Sequence, residues 1–189
     1  MISAILLAAG QSKRMLNENK LLKKINGTPL IKLCANNILA SFIDELIIVT
    51  GYQKERIERN IKKNNKIKFI HNSDFKTGIA SSIKTGISTL SSKTKFFFIC
   101  LGDMPMIDKN IYNLLINHKN KNKIIVPTFN SSPRNPVLFS ATLKKNIMKV
   151  RGDQGAKEFL KIHKNKIFNV KINSEDIFKD FDNIKDFTF

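Results

Sequence analysis

Ile5-Leu6-Leu7-Ala8-Ala9-Gly10-Gln11-Ser12-Lys13-Arg14-Met15, with Lys20-Leu21-Leu22 close behind, is the stretch on which the reading of this chain turns. The apolar run from Ser3 to Ala8 reads as a buried strand, because it is continuous rather than alternating and ends at small residues. A loop follows. Gly10 has no side chain and Ala8 and Ala9 have small ones, so a ligand could lie against the backbone from Leu7 to Gly10, its phosphate oxygens facing amide groups. Arg14 and Lys20 bring cations to the same place. Two unit charges about 4 Å apart interact by roughly 4 kcal/mol at a near-surface dielectric, so a triphosphate needs several such groups. The spacing excludes a P-loop, which needs Gly-Lys-Ser/Thr, and the dinucleotide G-x-G-x-x-G. The plain alternative is a tight strand-to-helix turn with a solvated Lys-Arg pair.

The 189 residues suit a single domain, 1–189, with a sizeable core. A net charge of +18 invites a nucleic-acid partner. The lysines are spread along the chain among many Ile, Asn and Phe, however, and no RNP-type aromatic signature or basic helix accompanies them, so no nucleic-acid partner is expected. Cys34 and Cys100 lie far apart in apolar segments and read as buried thiols in a reducing cytoplasm. The longest late apolar run, Phe96 to Leu101, is too short to span a bilayer, and the start lacks a secretory pattern, so no membrane association is expected.

Along the chain, Thr28 and Pro29 read as N-cap and first position of a helix reaching about Ser41. Leu46 to Val49 reads as a strand, Lys54 to Lys62 as a polar helix, Ile67 to Ile70 as a strand and Gly78 to Leu90 as a helix. Phe96 to Leu101 is the most apolar strand and the expected centre of the sheet. A helix around Ile111 to Leu115 follows, capped by Asp108. Ile124 to Val126 reads as a strand ended by Pro127, and Thr128 to Pro136 as a long loop. Val137 to Phe139 reads as a short strand, followed by helices at Ala141 to Val150 and Gln154 to His163 and a strand at Ile167 to Ile172. Such alternation predicts an α/β fold with a mostly parallel central sheet flanked by helices.

In such a sheet the ligand crevice lies beyond the carboxyl ends of the strands. Leu101-Gly102-Asp103-Met104-Pro105 follows the central strand, so Asp103 should enter the same crevice as Gly10. A carboxylate beside a polyphosphate repels it unless a cation lies between, and Mg2+ suits one or two carboxylates plus phosphate oxygens. Asn72, Asp74, Gly78, Ser81 and Ser82 form a further group at a helix start, able to hold an anion or a base edge or simply to cap that helix. His71, His118 and His163 show no ligand spacing. The basic turn Lys119 to Lys123 reads as solvated.

Together these blocks resemble the signatures of MobA-like nucleotidyltransferases with a Rossmann-like GT-A fold, and the A-A-G-x-S-x-R-M spelling of Ala8 to Met15 is most similar to the MocA branch, the molybdenum cofactor cytidylyltransferases. The likeness continues through Asn72 to Gly86, Leu101 to Pro105, Val126-Pro127-Thr128, Asn135 to Phe139, Gly152 to Ala156 and Asp180-Phe181-Asp182. Departures are Leu16 for the usual Gly after R-M, Arg134 for a Gly before Asn-Pro, and no Thr-Pro after Asp182. The resemblance implies transfer of CMP from CTP to the terminal phosphate of molybdopterin-type molybdenum cofactor. It implies Gly10, Arg14 and Lys20 on the triphosphate and Asp103 with Asp182 on Mg2+. Leu7, Ala8, Ala9, Asn72, Gly78, Ser81, Ser82 and Gly102 would sit about the nucleotide, and Asn135, Pro136, Gly152 and Asp153 on the cofactor side. A transient contact with a hydroxylase of the xanthine dehydrogenase type belongs to the same picture. The alternatives are a guanylyltransferase or sugar-phosphate nucleotidyltransferase, a molybdenum cofactor carrier or insertion chaperone, and an RNA-binding surface.

Overall fold

The computed structural model describes residues 1–12, 18–153, 155–174 and 178–181. Strand β1 (Ile2–Ala8) leads to a short hairpin, β2 (Lys24–Ile25) and β3 (Thr28–Pro29), and then to α1 (Leu30–Leu39), β4 (Glu45–Thr50), α2 (Lys54–Arg59) and β5 (Ile67–His71). Helix α3 (Ile79–Thr89), β6 (Phe96–Leu101), α4 (Lys109–Asn117), β7 (Ile124–Phe129), β8 (Ser132–Pro133) and β9 (Val137–Ser140) follow. The last elements are α5 (Lys144–Ile147), α6 (Gly155–Ile162) and β10 (Ile167–Lys171). Among the described residues, no helix is long and apolar enough to cross a membrane.

The main sheet runs β10-β7-β9-β6-β1-β4-β5, with β8 beside β7. Strand β6 sits at its middle, as its unbroken apolar run predicts. Pairs β6-β1, β1-β4, β4-β5 and β7-β10 are parallel, while β9 enters antiparallel to both β6 and β7. Alternation along β1 divides the core between the two faces. Ala4, Leu6 and Ala8 pack with Ile31, Cys34 and Ile38 of α1 and Tyr112 and Leu115 of α4, whereas Ile5 and Leu7 pack with Ile83 and Ile87 of α3 and Phe159 of α6. Helix α3 lies so close to β1 that a Cβ on Gly86 would overlap the Ile5 Cγ2 methyl. Asp108 caps α4, accepting from the amides of Asn110 and Ile111 at 3.0 and 3.2 Å.

Five local expectations are corrected. Thr28 and Pro29 form β3, paired with β2, and Thr28 does not cap α1; Asn26 and Gly27, at φ 47° and 78°, turn the chain in the manner of an Asn-Gly hairpin. Pro127 does not end β7. On the side where its amide would point, β9 has paired as far as Ile125 and β8 begins opposite Thr128, so the missing N–H falls between partners. The segment from Thr128 to Pro136 is mostly a hairpin turning at Asn130 and Ser131, both left-handed, and the Arg134 amide donates to the Pro127 carbonyl at 2.8 Å. The helix expected over Ala141 to Val150 is shorter, with a 3-10 turn at Ala141–Leu143 before α5, and α2 stops at Arg59.

Candidate active site

The connections reverse direction beside β1. From β1 the chain passes through α1 to β4 and through α2 to β5; α3 then carries it back to the other side of β1 as β6. The carboxyl ends of β1 and β6 flank this switch point, where open α/β sheets form their ligand crevices. A cleft of about 340 Å3 opens there, lined among others by Leu7, Ala9, Gly10 and Ser12 from the first loop, Lys20, Gly102 and Asp103, and Gly78, Ser82 and Asp153 from the opposite wall. A Cβ on Gly10 would meet no described residue within 4 Å, so the glycine leaves backbone open to the cleft.

The two loops are bonded to each other. The Gly102 amide donates to the Leu7 carbonyl at 3.2 Å, and a Cβ on Gly102 would stand 3.0 Å from that same oxygen. The Cys34 thiol donates to the Gly102 carbonyl at 3.2 Å, and the Phe181 amide to the Asp103 carbonyl at 3.1 Å. With its backbone held on both sides, Asp103 presents its carboxylate to the cleft. Oδ2 forms an ion pair with the Lys20 ammonium, and the two side chains are 18% and 17% exposed, so the pair is largely withdrawn from water. Oδ1 is buried and has no hydrogen-bond partner among the described residues. A buried carboxylate oxygen without a partner is costly unless a ligand takes it up.

That oxygen suits a divalent cation. Among the described residues no group of three or more His, Cys, Asp or Glu gathers into a metal site, so Asp103 would be joined by phosphate oxygens and water, as Mg2+ tolerates. Lys20 is itself positioned: its amide donates to the Ser12 hydroxyl at 3.0 Å, and Asn19 caps the turn Lys20–Leu22 by accepting from the Leu21 amide at 3.1 Å. Below the loop, burial and the Asp103 charge push the Cys34 thiol well above its ordinary value, and burial pushes Cys100 up to about 12. Both remain protonated near neutrality and act as packing and donor groups.

On the opposite wall Asn72 is a buried clamp. Its Oδ1 accepts from the Asp74 amide at 3.0 Å, which leaves Nδ2 to donate to Ser81 Oγ at 2.8 Å and Ser82 Oγ at 3.0 Å. Ser81 lies within donating distance of the Gly78 and Asp74 carbonyls, at 2.8 and 3.0 Å, and so is satisfied within the fold. Ser82 lines the cleft, and with its oxygen accepting once from Asn72 it still has its O–H donor and one lone pair to offer a ligand. Asn72 and Ser81 therefore shape this wall from behind the lining.

The loop Gly152–Asp153 closes over the start of α3. Asp153 Oδ1 accepts from the Ile79 amide at 3.2 Å and the Gly152 carbonyl from the Ala80 amide at 3.1 Å, so a helix with no cap of its own is capped from over 70 residues away. Gly78, at φ 111°, permits this approach: a Cβ there would lie 2.7 Å from the Gly152 carbonyl carbon. Asn135 and Pro136 do not line the cleft, but the β9 register, with Val137 opposite Ile99, brings them beside the end of β6. Ala8 is buried in β1, and Arg14, Leu16 and Asp182 lie outside the described residues. The sequence reading missed Phe75 and Lys76, which line the cleft; nothing distinguishes one lysine in so basic a chain. His118 stacks on Phe168 and His163 packs on Phe159, both away from the cleft.

The model of the MobA-like NTP transferase domain matches residues 4–167. The chain is 30% identical over 139 residues to the molybdenum cofactor cytidylyltransferase of Escherichia coli, covering 74% of this chain and 70% of that protein. It is 32% identical over 130 residues to a probable molybdenum cofactor guanylyltransferase of Natranaerobius thermophilus, covering 67% of this chain and 60% of the relative. Among solved structures, Rv0371c of Mycobacterium tuberculosis superposes with a TM-score of 0.87 at 18% identity, over 98% of this chain and 94% of that one. A second structure of Rv0371c, in complex with manganese, superposes at 0.80 and 16% identity, over 98% and 95%.

Proposed function

The chain belongs to the MobA-like NTP transferase domain family, and from that premise we propose that its cleft transfers CMP from CTP to the terminal phosphate of molybdopterin-type molybdenum cofactor, with Mg2+ as the cation. The observation that carries the reading is the Asp103 carboxylate, one oxygen paired with Lys20 and the other buried without a partner, facing the open backbone at Gly10. An oxygen of the acceptor phosphate forms a bond to the α-phosphorus while the bond from that phosphorus to the bridging oxygen breaks, and pyrophosphate leaves. In such an in-line displacement the protein chiefly positions reactants and neutralises charge.

Gly10 and its neighbours cradle the triphosphate with backbone amides, and Lys20 supplies a cation that Ser12 and Asn19 hold in place. Asp103 holds the divalent cation through Oδ1; that cation, when bound, offsets charge on the phosphate oxygens. The manganese complex of Rv0371c, a neighbour in fold, supports a divalent cation in this architecture. Ser82 donates to the base, with Asn72 fixing its orientation. Asn135 and Asp153 border the acceptor.

The test incubates pure protein, Mg2+ and molybdenum cofactor with each nucleoside triphosphate and follows pyrophosphate. Turnover with CTP alone is the expected result; none with any nucleotide overturns the reading. The likeness to the probable guanylyltransferase favours a second reading, in which GTP alone is turned over.

A further inference from the structure

One cation in the cleft has no part in the scheme above. Lys76 stands on the 3-10 turn Phe75–Thr77 and lines the cleft wall that faces the first loop. The turn is pinned. Asp74 donates its amide to Asn72 at 3.0 Å, and Thr77 donates its amide and its hydroxyl to the Asp74 carbonyl at 2.9 and 2.7 Å. Phe75 presses onto Gly51, where a Cβ would lie 2.7 Å from Phe75 Cβ and 2.8 Å from Ala9 Cβ. The backbone of Lys76 is thus set above the ends of β4 and β1, while its ammonium makes no hydrogen bond or ion pair with a described residue. Asp153, the carboxylate on the same wall, accepts from the Ile79 amide.

Position along the sheet says which part of a nucleotide Lys76 meets. Asp103 follows β6 and Gly51 follows β4, two strands away, so roughly 10 Å separates the cation-binding end of the cleft from the turn that carries Lys76. With the triphosphate between Gly10, Lys20 and Asp103, that distance is spanned by the nucleoside. An ammonium has donors and no acceptor, and on a neutral base it is drawn most strongly to a carbonyl oxygen, ahead of the ring nitrogens. Cytosine and guanine carry one, uracil two, and adenine none. The geometry points to Lys76 as a specificity-determining residue that binds a nucleobase carbonyl and turns the cleft away from adenine nucleotides. This rests on the nucleotide-binding reading above.

The test is calorimetric titration with Mg2+ and no acceptor, using CTP, GTP, UTP, ATP and inorganic tripolyphosphate as the probe without a base. Wild type is expected to bind at least one carbonyl-bearing nucleotide more tightly than ATP. Lys76→Met, which keeps the aliphatic stem, should weaken that nucleotide about tenfold, the size of one charge-assisted hydrogen bond at a partly exposed site. ATP and tripolyphosphate should be unchanged, and Lys76→Arg should retain most of the preference. A preference that survives in Lys76→Met overturns the inference, as does an equal loss for tripolyphosphate, which would make Lys76 a phosphate ligand. Wild type binding all four nucleotides equally also overturns it. Wild type binding no nucleotide at all is the separate result that fails nucleotidyl transfer itself.

Discussion

Replacing Gly102 by Ala tests whether the two loops are as closely joined as their geometry implies. The added Cβ would lie 3.0 Å from the Leu7 carbonyl oxygen and 3.2 and 3.3 Å from the two δ-methyls of Leu21. Leu7 belongs to β1, which is paired on both sides with β4 and β6, so its carbonyl has nowhere to go. Leu21 is 4% exposed and packed in the core. The strain is therefore relieved by moving Gly102 and Asp103 outward by a few tenths of an ångström. Overpacking of this kind costs about 1–3 kcal/mol, read as a lower urea midpoint at unchanged m-value. A misplacement of about 1 Å costs roughly 100-fold in rate, so a third to a half of that should slow pyrophosphate release about five- to tenfold. Adding Leu21→Ala removes the methyl contacts but leaves the carbonyl contact. The double variant should be less destabilised than the two single changes summed, with the rate still low. Wild-type midpoint and wild-type rate in Gly102→Ala would refute the reasoning.

Asp103→Ala should lower pyrophosphate release about 100-fold or more at saturating Mg2+ while circular dichroism stays native; a near-normal rate removes the proposed metal role. Asn72→Ala strands the Asp74 amide and unties Ser81 and Ser82, and should lower stability by about 1–3 kcal/mol in urea unfolding and weaken nucleotide binding in the same preparation. An unchanged midpoint would mean that Asn72 is no clamp. Stability should also fall in alkali. The buried Cys100 thiol keeps its proton to about 12 in the native state, while the unfolded chain releases it near the ordinary 9.0. The stabilisation is thus fully present below pH 9 and is lost between 9 and 12 at about 1.4 kcal/mol per pH unit. Cys34 and, above pH 10, Tyr112 are raised by burial in the same direction and add to the slope, so Cys100→Ala should remove about half of it between 9 and 10 and about a third above 10; a flat profile across this range contradicts the burial argument.

What was legible in the sequence was what depends on neighbours along the chain. Phe96 to Leu101 declares itself a central strand because both its faces must be apolar, and Asp108 declares a helix start because its cap reaches two and three residues on. The same local grammar misled at Thr28-Pro29, where a Ser/Thr-Pro helix entry competed with the Asn26-Gly27 turn just before it and the turn won. It also misled at Pro127, since the harmlessness of a missing amide depends on where β9 stops and β8 starts. In the cleft, Gly10, Gly102 and Asp103 were readable because loops after parallel strands must share one edge. The cap that Asp153 places on α3 was not, nor was the pinning of Lys76 above β4, because each rests on contacts between segments that no spacing rule connects.

The fold also dictates how charge is shared in the cleft. Because the chain reverses beside β1, a glycine loop and a carboxylate loop emerge from neighbouring strands about 4.8 Å apart, closer than two like-charged ligands would tolerate without an intervening cation. Lys20 meets that requirement on one oxygen of Asp103, and on the proposed reading the other oxygen is left for a metal. A carboxylate already half neutralised would attract a bare cation weakly, so a cation accompanied by phosphate oxygens would be held better, with Lys20 drawing on the same phosphates. On the proposed reading the ion pair would couple occupancy of the metal position to occupancy of the triphosphate position, with the Gly102 amide, bonded to Leu7, tying the two loops together.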